Sequence, residues 1–196
     1  MLIVGFYGGI ERVNKQPEVC KQTKANLIEA FWHLYKDNKL YKIKIKDITD
    51  KAGYNRSTFY EYFFNIDDLL EYAEEQLINE MIQQLEEAVE NFDSEELIVK
   101  AAKVYEYYGY YLSILLGPTG DPAFAEKYKA AVKLLIIKKF NLKEDDFRID
   151  ILCEYSFGAI LYSITYWYKN GKSFSAEELA SLLYTIMKKG MFSVLT

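Results

Sequence analysis

The chain has 196 residues, of which 51% are hydrophobic, so it is long enough to bury a core and form one or two domains. Two widely separated cysteines, Cys20 and Cys153, and a single histidine provide neither a disulfide framework nor metal-ligand spacing, so we expect no metal and no cofactor. The apolar N-terminus lacks the form of a signal peptide, and no apolar run approaches the roughly 20 residues of a transmembrane helix. A cytoplasmic protein without a membrane partner is expected.

The net charge of −5 is distributed unevenly. Residues 1–66 carry eleven Lys and Arg against seven Asp and Glu, a net charge of +4, whereas residues 67–196 carry thirteen against twenty-two, a net charge of −9. This asymmetry suits a protein that contacts phosphate with one end only. It also fits a helical protein with an acidic, well-solvated body.

Apolar residues recur at three- and four-residue spacing through most of the chain, and only three prolines occur, so the pattern predicts helices almost throughout. Residues 1–20 lack this periodicity and contain three glycines, and we expect a flexible arm there. Thr23, Asn65 and Ser175 are the predicted N-caps. The predicted helices cover residues 23–38, 44–51, 55–63, 67–91, 94–116, 123–140, 146–168 and 176–189.

Residues 45–63 have the layout of a helix-turn-helix. Ala52 is small where two helices would cross, Gly53 permits the backbone angles of the turn, and Asn55 can cap the next helix with its side chain. The spacing directs Phe59 and Phe63 towards the core. An ordinary pair of helices in an all-helical protein would show the same local pattern.

The outward face of the third helix is polar. It presents Asn55, Arg56, Ser57, Thr58, Tyr60, Glu61 and Tyr62. Short polar side chains at the N-terminal end of such a helix suit contacts to base edges and phosphates. We expect these residues, with Lys44 and Lys46, to bind DNA. The lysines could equally form a solvated face, Arg56 could be an idle surface arginine, and Tyr62 could be packing.

The stretch from Thr23 to Leu70 resembles the DNA-binding domain of the TetR family. The resemblance rests on Ile28-Glu29-Ala30-Phe31, Lys46-Asp47-Ile48, Ala52-Gly53, Ser57-Thr58-Phe59-Tyr60 with Phe63, and Asn65 with Leu69-Leu70. A fainter resemblance to a C-terminal domain of TetR-like proteins from Gram-positive bacteria rests on Leu115-Leu116-Gly117, Gly120-Asp121-Pro122-Ala123-Phe124, Phe157-Gly158-Ala159-Ile160, Trp167-Tyr168 and Asn170-Gly171.

The resemblance implies an all-α fold in which a three-helix head is linked by a long fourth helix to a helical bundle. The implied domains are a DNA-binding domain at 21–66, after the arm at 1–20, and an effector-binding and dimerisation domain at 67–196. The helices at 146–169 and 176–190 would form a four-helix interface with a second subunit. The implied function is a repressor that binds a near-palindromic operator as a homodimer and responds to a small molecule. The alternative is a regulator of the co-activator type, whose body responds to a partner protein.

Four positions depart from the family pattern. Lys44 stands where Ser or Thr usually caps the second helix, and Glu61 stands where a basic residue or histidine is common. Phe64 and Ile66 replace lysines that are frequent at the start of the fourth helix. These departures leave fewer phosphate contacts than typical relatives would make.

Tyrosine accounts for 18 residues, many of them in the C-terminal two thirds. Aromatic side chains suit a small-molecule pocket, although aromatic stripes at helical spacing are more often core. The candidate ligand-binding residues are Tyr105, Tyr108, Tyr111, Phe124, Tyr128 and Tyr155. A helical enzyme is the remaining alternative, but the sequence offers it no nucleophile-base pair, metal cluster or phosphate loop, so we expect no enzyme.

Overall fold

The computed structural model describes residues 17–90, 94–118, 120–143 and 146–190. Within these ranges the chain forms eight α-helices and one short 3₁₀ turn and contains no strand, which confirms the predicted all-α fold. The helices are α1 (Pro17–Tyr35), α2 (Ile45–Ala52), α3 (Arg56–Tyr60), α4 (Ile66–Glu90), α5 (Ser94–Leu115), α6 (Phe124–Phe140), α7 (Phe147–Lys169) and α8 (Ala176–Lys189). We call α1 to α3 the head and α5 to α8 the body, which α4 joins.

Helix α1 begins earlier than the sequence suggested. It starts at Pro17, so residues 17–20 of the expected arm are helical, while residues 1–16 lie outside the described residues. The predicted cap at Thr23 is wrong, because the Thr23 hydroxyl donates to the carbonyl of Val19 at 2.8 Å within the helix. A proline in the first turn costs no hydrogen bond, since the N–H groups there have no helical acceptor.

The head packs around a small apolar core. Leu27, Phe31, Ile48 and Phe59 are fully buried, and Phe63 is nearly so. Burying each of these side chains contributes about 1.5–3 kcal/mol, which holds α2 and α3, two helices too short to be stable alone, against α1. The prediction that Phe59 and Phe63 face the core is confirmed.

Helix α4 begins at a reciprocal cap and continues into the body. The Asn65 side chain accepts from the backbone N–H of Asp68 at 2.8 Å, and the Asp68 carboxylate accepts from the N–H of Phe64 at 2.7 Å. The predicted cap at Asn65 is therefore confirmed. One face of α4 carries an apolar stripe that is buried from its first turn to Leu85: Leu69, Leu70, Ala73, Leu77, Met81 and Leu85.

Helix α5 is the centre of the body and packs against α4, α7 and α8. Helix α8 begins at the predicted cap, where the Ser175 hydroxyl accepts from the N–H of Glu178 and the Glu178 carboxylate accepts from the N–H of Ser175. This capping box satisfies two N–H groups that the helix leaves without partners. In the part of the chain described here, none of the helices combines the length and apolarity needed to cross a bilayer.

Candidate functional site

The turn between α2 and α3 has the geometry that its sequence requires. Gly53 adopts φ 75° and ψ 29°, in the left-handed region, and the N–H of Tyr54 donates to the carbonyl of Thr49 at 2.9 Å. An added Cβ at Gly53 would meet no atom within 4 Å. Glycine is therefore needed for its backbone angle, because other residues pay a steric cost at positive φ.

Helix α3 is shorter than expected and is held by its aromatic side chains. It ends at Tyr60, not near Phe63, and the next two residues continue as a turn. The Phe59 and Phe63 rings lie 5.6 Å apart, and the Phe63 ring lies 5.6 Å from that of Tyr72 on α4. These contacts fix the orientation of α3 relative to α4.

The outer face of α3 is polar and open. Asn55, Arg56, Ser57, Tyr60 and Glu61 are exposed, Thr58 is half-buried, and Tyr62 is half-buried against the core. Asn55 occupies the N-cap position, but its side chain makes no capping hydrogen bond, so the predicted side-chain cap is wrong.

Lys44 and Lys46 stand at the start of α2 with exposed side chains. Lys44 occupies the N-cap position without a side-chain cap, while the Asp47 carboxylate accepts from its backbone N–H at 3.1 Å. Lys46 pairs with Asp50 at 2.8 Å, which raises the pKa of Lys46, and the nearby charge of Arg56 opposes that rise in pKa. The exposed side chains of Lys44, Lys46 and Arg56 place positive charge on the first turns of α2 and α3, and we call these three residues the basic surface.

Phe64 adds an apolar side chain beside this surface. It is 83% exposed at the residue before the cap of α4, while Ile66 is half-buried. The backbone of Phe64 is fixed by its N–H donating to Asp68. A large exposed ring on a fixed backbone marks a position where a side chain could contact a bound partner.

The junction between head and body contains a buried carboxylate that the sequence reasoning missed. Glu74 on α4 is fully buried and accepts from Lys127 Nζ on α6 at 2.7 Å, and Lys127 lies 3.5 Å from Asp121. Burial raises the pKa of Glu74 to about 7, and the hydrogen bond and charge of Lys127 oppose that rise. Burial also raises the pKa of Tyr35, at the end of α1, to about 12, with smaller contributions from Asp121 and Glu74. The signal in the sequence was an acidic residue on the apolar stripe of α4, between Leu70 and Leu77.

An open cleft of about 530 Å³ lies over this junction. Its walls combine the end of α1, the first turns of α4 and residues 118 and 120–122, and it also exposes Lys39, Asp67 and Glu71. Any rotation of the head against the body would therefore change the surroundings of Glu74.

A second, more enclosed cavity of about 120 Å³ lies inside the body. It is bounded by α4, α5, α6 and α7, and its walls are mostly apolar. Representative wall residues are Met81, Leu85, Ile98, Val132, Phe157 and Ile160. Cys153 also lines it, and burial raises the pKa of its thiol.

The six candidate ligand residues are spread over different parts of the body. Tyr105 and Tyr128 line the cavity, whereas Tyr108 and Tyr111 line a surface cleft between α1, α4 and α5. Phe124 is fully buried, with its ring stacked 6.3 Å from that of Tyr128, and Tyr155 is 64% exposed on α7. The structure thus brings two of the six to one cavity.

Helix α7 carries a long exposed apolar stripe. Its large exposed side chains recur at helical spacing: Phe147, Ile151, Tyr155, Tyr162 and Tyr166. Gly158 lies within the stripe, and an added Cβ there would meet no atom within 4 Å. The stripe extends over roughly 29 Å of helix, and a continuous exposed apolar surface of this kind marks an interaction site.

Comparison with known proteins identifies the fold. The structure is similar to a TetR transcriptional regulator from Streptococcus agalactiae, with 21% identity, a TM-score of 0.65, and coverage of 86% of this chain and 95% of that chain. It is also similar to FadR from Bacillus subtilis, solved in complex with stearoyl-CoA, with 18% identity, a TM-score of 0.64, and coverage of 85% and 98%. The dihydroxyacetone kinase operon activator DhaS matches with 19% identity, a TM-score of 0.57, and coverage of 87% and 97%. A search of curated proteins found no significant match.

The all-helical fold with a helix-turn-helix head is the fold of TetR-type transcriptional regulators. Residues 93–189 match the TetR C-terminal family model described as "Transcriptional regulator C-terminal region". Residues 93–189 thus belong to this TetR C-terminal family, and the fold of the described residues is that of TetR transcriptional regulators, in agreement with the predicted resemblance.

Proposed function

We propose that the protein is a repressor that binds a near-palindromic DNA operator as a homodimer and releases it when a small molecule occupies the body. The observation that carries this proposal is the open polar face of α3, fixed by Phe59 and Phe63 beside the exposed Lys44 and Lys46. In such a dimer, two recognition helices would enter successive major grooves about 34 Å apart.

In this proposal the phosphate and base contacts come from the predicted residues. Arg56 stands at the first position of α3, where a guanidinium can donate two hydrogen bonds to guanine or one to a phosphate. Glu61, just after α3, is exposed, and a carboxylate there accepts from a cytosine amino group or repels a phosphate. A duplex with cytosine at the base pair that faces Glu61 should therefore bind more tightly than one with another base there.

The dimer is supported by the exposed apolar stripe of α7. Two copies of α7 packed on each other would cover the aromatic rings, and Gly158 would allow a close approach where the helices cross. Static light scattering of the purified chain tests this part of the proposal. A mass twice the 22.9 kDa of one chain is expected, and a mass of one chain would contradict it.

A small-molecule effector is supported by the apolar cavity that α4, α5, α6 and α7 surround. FadR from Bacillus subtilis, which shares the fold, was solved with stearoyl-CoA. An enclosed apolar cavity favours a small ligand over a partner protein, which would need an exposed surface. Because Met81 and Leu85 on α4 line the cavity, a ligand would act on the helix that leads to the head.

Fluorescence anisotropy on the duplex directly upstream of the protein's own coding region tests DNA binding. We expect this duplex to bind far better than a scrambled one, with affinity that falls as salt rises. Arg56→Ala should weaken binding by about five- to 150-fold, which is the range expected when one bidentate contact to a base is lost. Arg148→Ala removes the same charge from an exposed site in the body and should leave affinity unchanged. Equal affinity for both duplexes, from a folded dimer, would contradict operator binding at this site.

The sign of regulation needs its own measurement, because one protein of this fold, DhaS, is described as an operon activator. Transcription in vitro from the same upstream promoter should fall when the protein is added. A rise in transcript would favour activation instead.

A further inference from the structure

We propose that the cavity binds a small, uncharged and mainly apolar molecule whose single hydrogen-bonding group pairs with the hydroxyl of Tyr105. This inference rests on the proposed ligand response of the body and narrows it to one chemical class. Four features of the described residues carry it.

The first feature is the size of the cavity. Its volume of about 120 Å³ is close to that of engineered apolar cavities of roughly 150 Å³, which stay dry and bind benzene. A single six-membered ring or a short alkyl chain therefore fills it without rearrangement of the walls. Larger ligands would have to separate α4 from α6 or α7.

The second feature is the apolar character of the walls. Met81, Leu85, Ile98, Val132 and Phe157 surround the space from four helices. Binding of a hydrocarbon group removes its surface from water without leaving a polar wall group unsatisfied. The body of the ligand is therefore apolar.

The third feature is the pairing of the two lysines that border the cavity. Lys129 pairs with Glu126 at 2.6 Å and with Glu154 at 2.7 Å, and Lys133 pairs with Asp150 at 2.5 Å. A ligand carboxylate would have to displace these carboxylates from the lysines. An uncharged ligand would leave these ion pairs intact, so we infer that the ligand carries no charge.

The fourth feature is the Tyr105 side chain on α5. It lines the cavity and is 3% exposed, and among the described residues its hydroxyl has no hydrogen-bond partner. The Thr165 side chain on α7 lies near this hydroxyl and lowers its pKa, but the two hydroxyls do not meet hydrogen-bond geometry; the Thr165 hydroxyl donates to the carbonyl of Leu161 at 2.7 Å. Burial is the larger effect and raises the pKa of Tyr105, so the hydroxyl stays protonated and can donate.

A buried hydroxyl without a partner is rare, because desolvation removes its hydrogen bond to water without replacement. A carbonyl, hydroxyl or ether oxygen on the ligand would supply the missing acceptor. In this arrangement Tyr105 determines specificity, while the apolar walls supply most of the affinity.

The test compares two ring-sized probes that differ in one atom group. Cyclohexanone and methylenecyclohexane have nearly the same shape, but only the ketone accepts a hydrogen bond. Isothermal titration calorimetry gives the ratio of their dissociation constants for the full-length protein and for Tyr105→Phe. Tyr107→Phe serves as the matched control, because Tyr107 is 76% exposed and does not line the cavity.

We expect Tyr105→Phe to shift this ratio against the ketone by about fivefold, as for the loss of one neutral hydrogen bond, while Tyr107→Phe leaves it unchanged. An unchanged ratio in Tyr105→Phe, with both probes bound, would overturn the role of Tyr105 and leave a ligand-responsive body intact. Failure of both probes to bind, or tighter binding of cyclohexanecarboxylate than of the ketone, would overturn the ligand class. The anisotropy measurement on the operator duplex tests DNA binding independently, so a failure of the ligand proposal can be distinguished from a failure of the proposed DNA function.

Discussion

Replacement of Glu74 by glutamine is expected to remove a pH dependence of stability that originates at the junction of head and body. Glu74 is fully buried, and its pKa of about 7 in the folded chain lies above the ordinary value of 4.5. A raised folded-state pKa means that the folded chain holds the proton more tightly than the unfolded chain does. The stability that this group contributes is therefore fully present below pH 4.5 and is lost as pH rises through about 7.

The size of the effect follows from the difference between the two pKa values. At about 1.36 kcal/mol per pH unit, that difference corresponds to a loss of about 3 kcal/mol of unfolding free energy from pH 4.5 to above pH 7. Glutamine has nearly the same shape, can still accept from Lys127, and does not ionise. Lys127 keeps Asp121 at 3.5 Å and is partly exposed, so its charge is not left buried alone.

Urea unfolding between pH 5 and pH 8 measures this prediction, at one fixed protein concentration because the proposed dimer makes stability concentration-dependent. The stability of Glu74→Gln should exceed that of the wild type at pH 8 by about 2–3 kcal/mol and approach it at pH 5. Glu75→Gln is the matched control, because Glu75 is exposed on the same helix and its loss should leave the pH curve unchanged. Parallel pH curves for the wild type and Glu74→Gln, or a Gln variant that is less stable at pH 8, would refute the reasoning.

Three further changes probe the head and the proposed dimer. Phe64→Lys places a cation at an exposed position beside the basic surface and should tighten operator binding, with the salt slope steeper by about one, as read by anisotropy at several salt concentrations. Gly53→Ala forces a Cβ into the left-handed region and should destabilise the chain by about 1 kcal/mol in urea unfolding, with unchanged stability contradicting the observed turn. Tyr162→Glu puts a charge in the exposed stripe of α7 and should give the mass of a single chain in light scattering. Tyr107→Glu adds the same charge at an exposed position on α5 and should leave the mass of the dimer unchanged.

The sequence predicted the helix-turn-helix because its signals are local. The glycine turn and the four-residue spacing of Phe59 and Phe63 are properties of a few neighbouring residues, and the structure has them as expected. Helix ends were less predictable, because a threonine can either cap the start of a helix or donate its hydroxyl to a carbonyl inside the helix. Thr23 resembles a cap in sequence, but its hydroxyl donates to Val19 inside a helix that begins at Pro17.

The cavity could not be predicted, because it depends on how four helices pack. Tyr105 and Tyr108 are three residues apart on α5, and only the packing of the body decides that Tyr105 lines the cavity while Tyr108 lines the cleft on the other side. The Glu74 and Lys127 pair likewise joins residues that are 53 positions apart. Local periodicity says which face of a helix is buried, but not which partner lies across it.

Helix α4 provides the physical link between the proposed ligand and the head. Met81 and Leu85 line the cavity, and Glu74 lies two turns earlier, roughly 10 Å along the helix axis from Met81. A ligand that contacts Met81 and Leu85 stabilises one position of α4 against α6, and a shift of α4 between two positions would alter the contact between Glu74 and Lys127 on α6. Because the Phe59, Phe63 and Tyr72 rings join α3 to α4, the same movement would change the separation of the two recognition helices in a dimer. On this mechanism Glu74→Gln should alter the effect of a bound ligand on operator affinity, while leaving affinity for the ligand itself nearly unchanged.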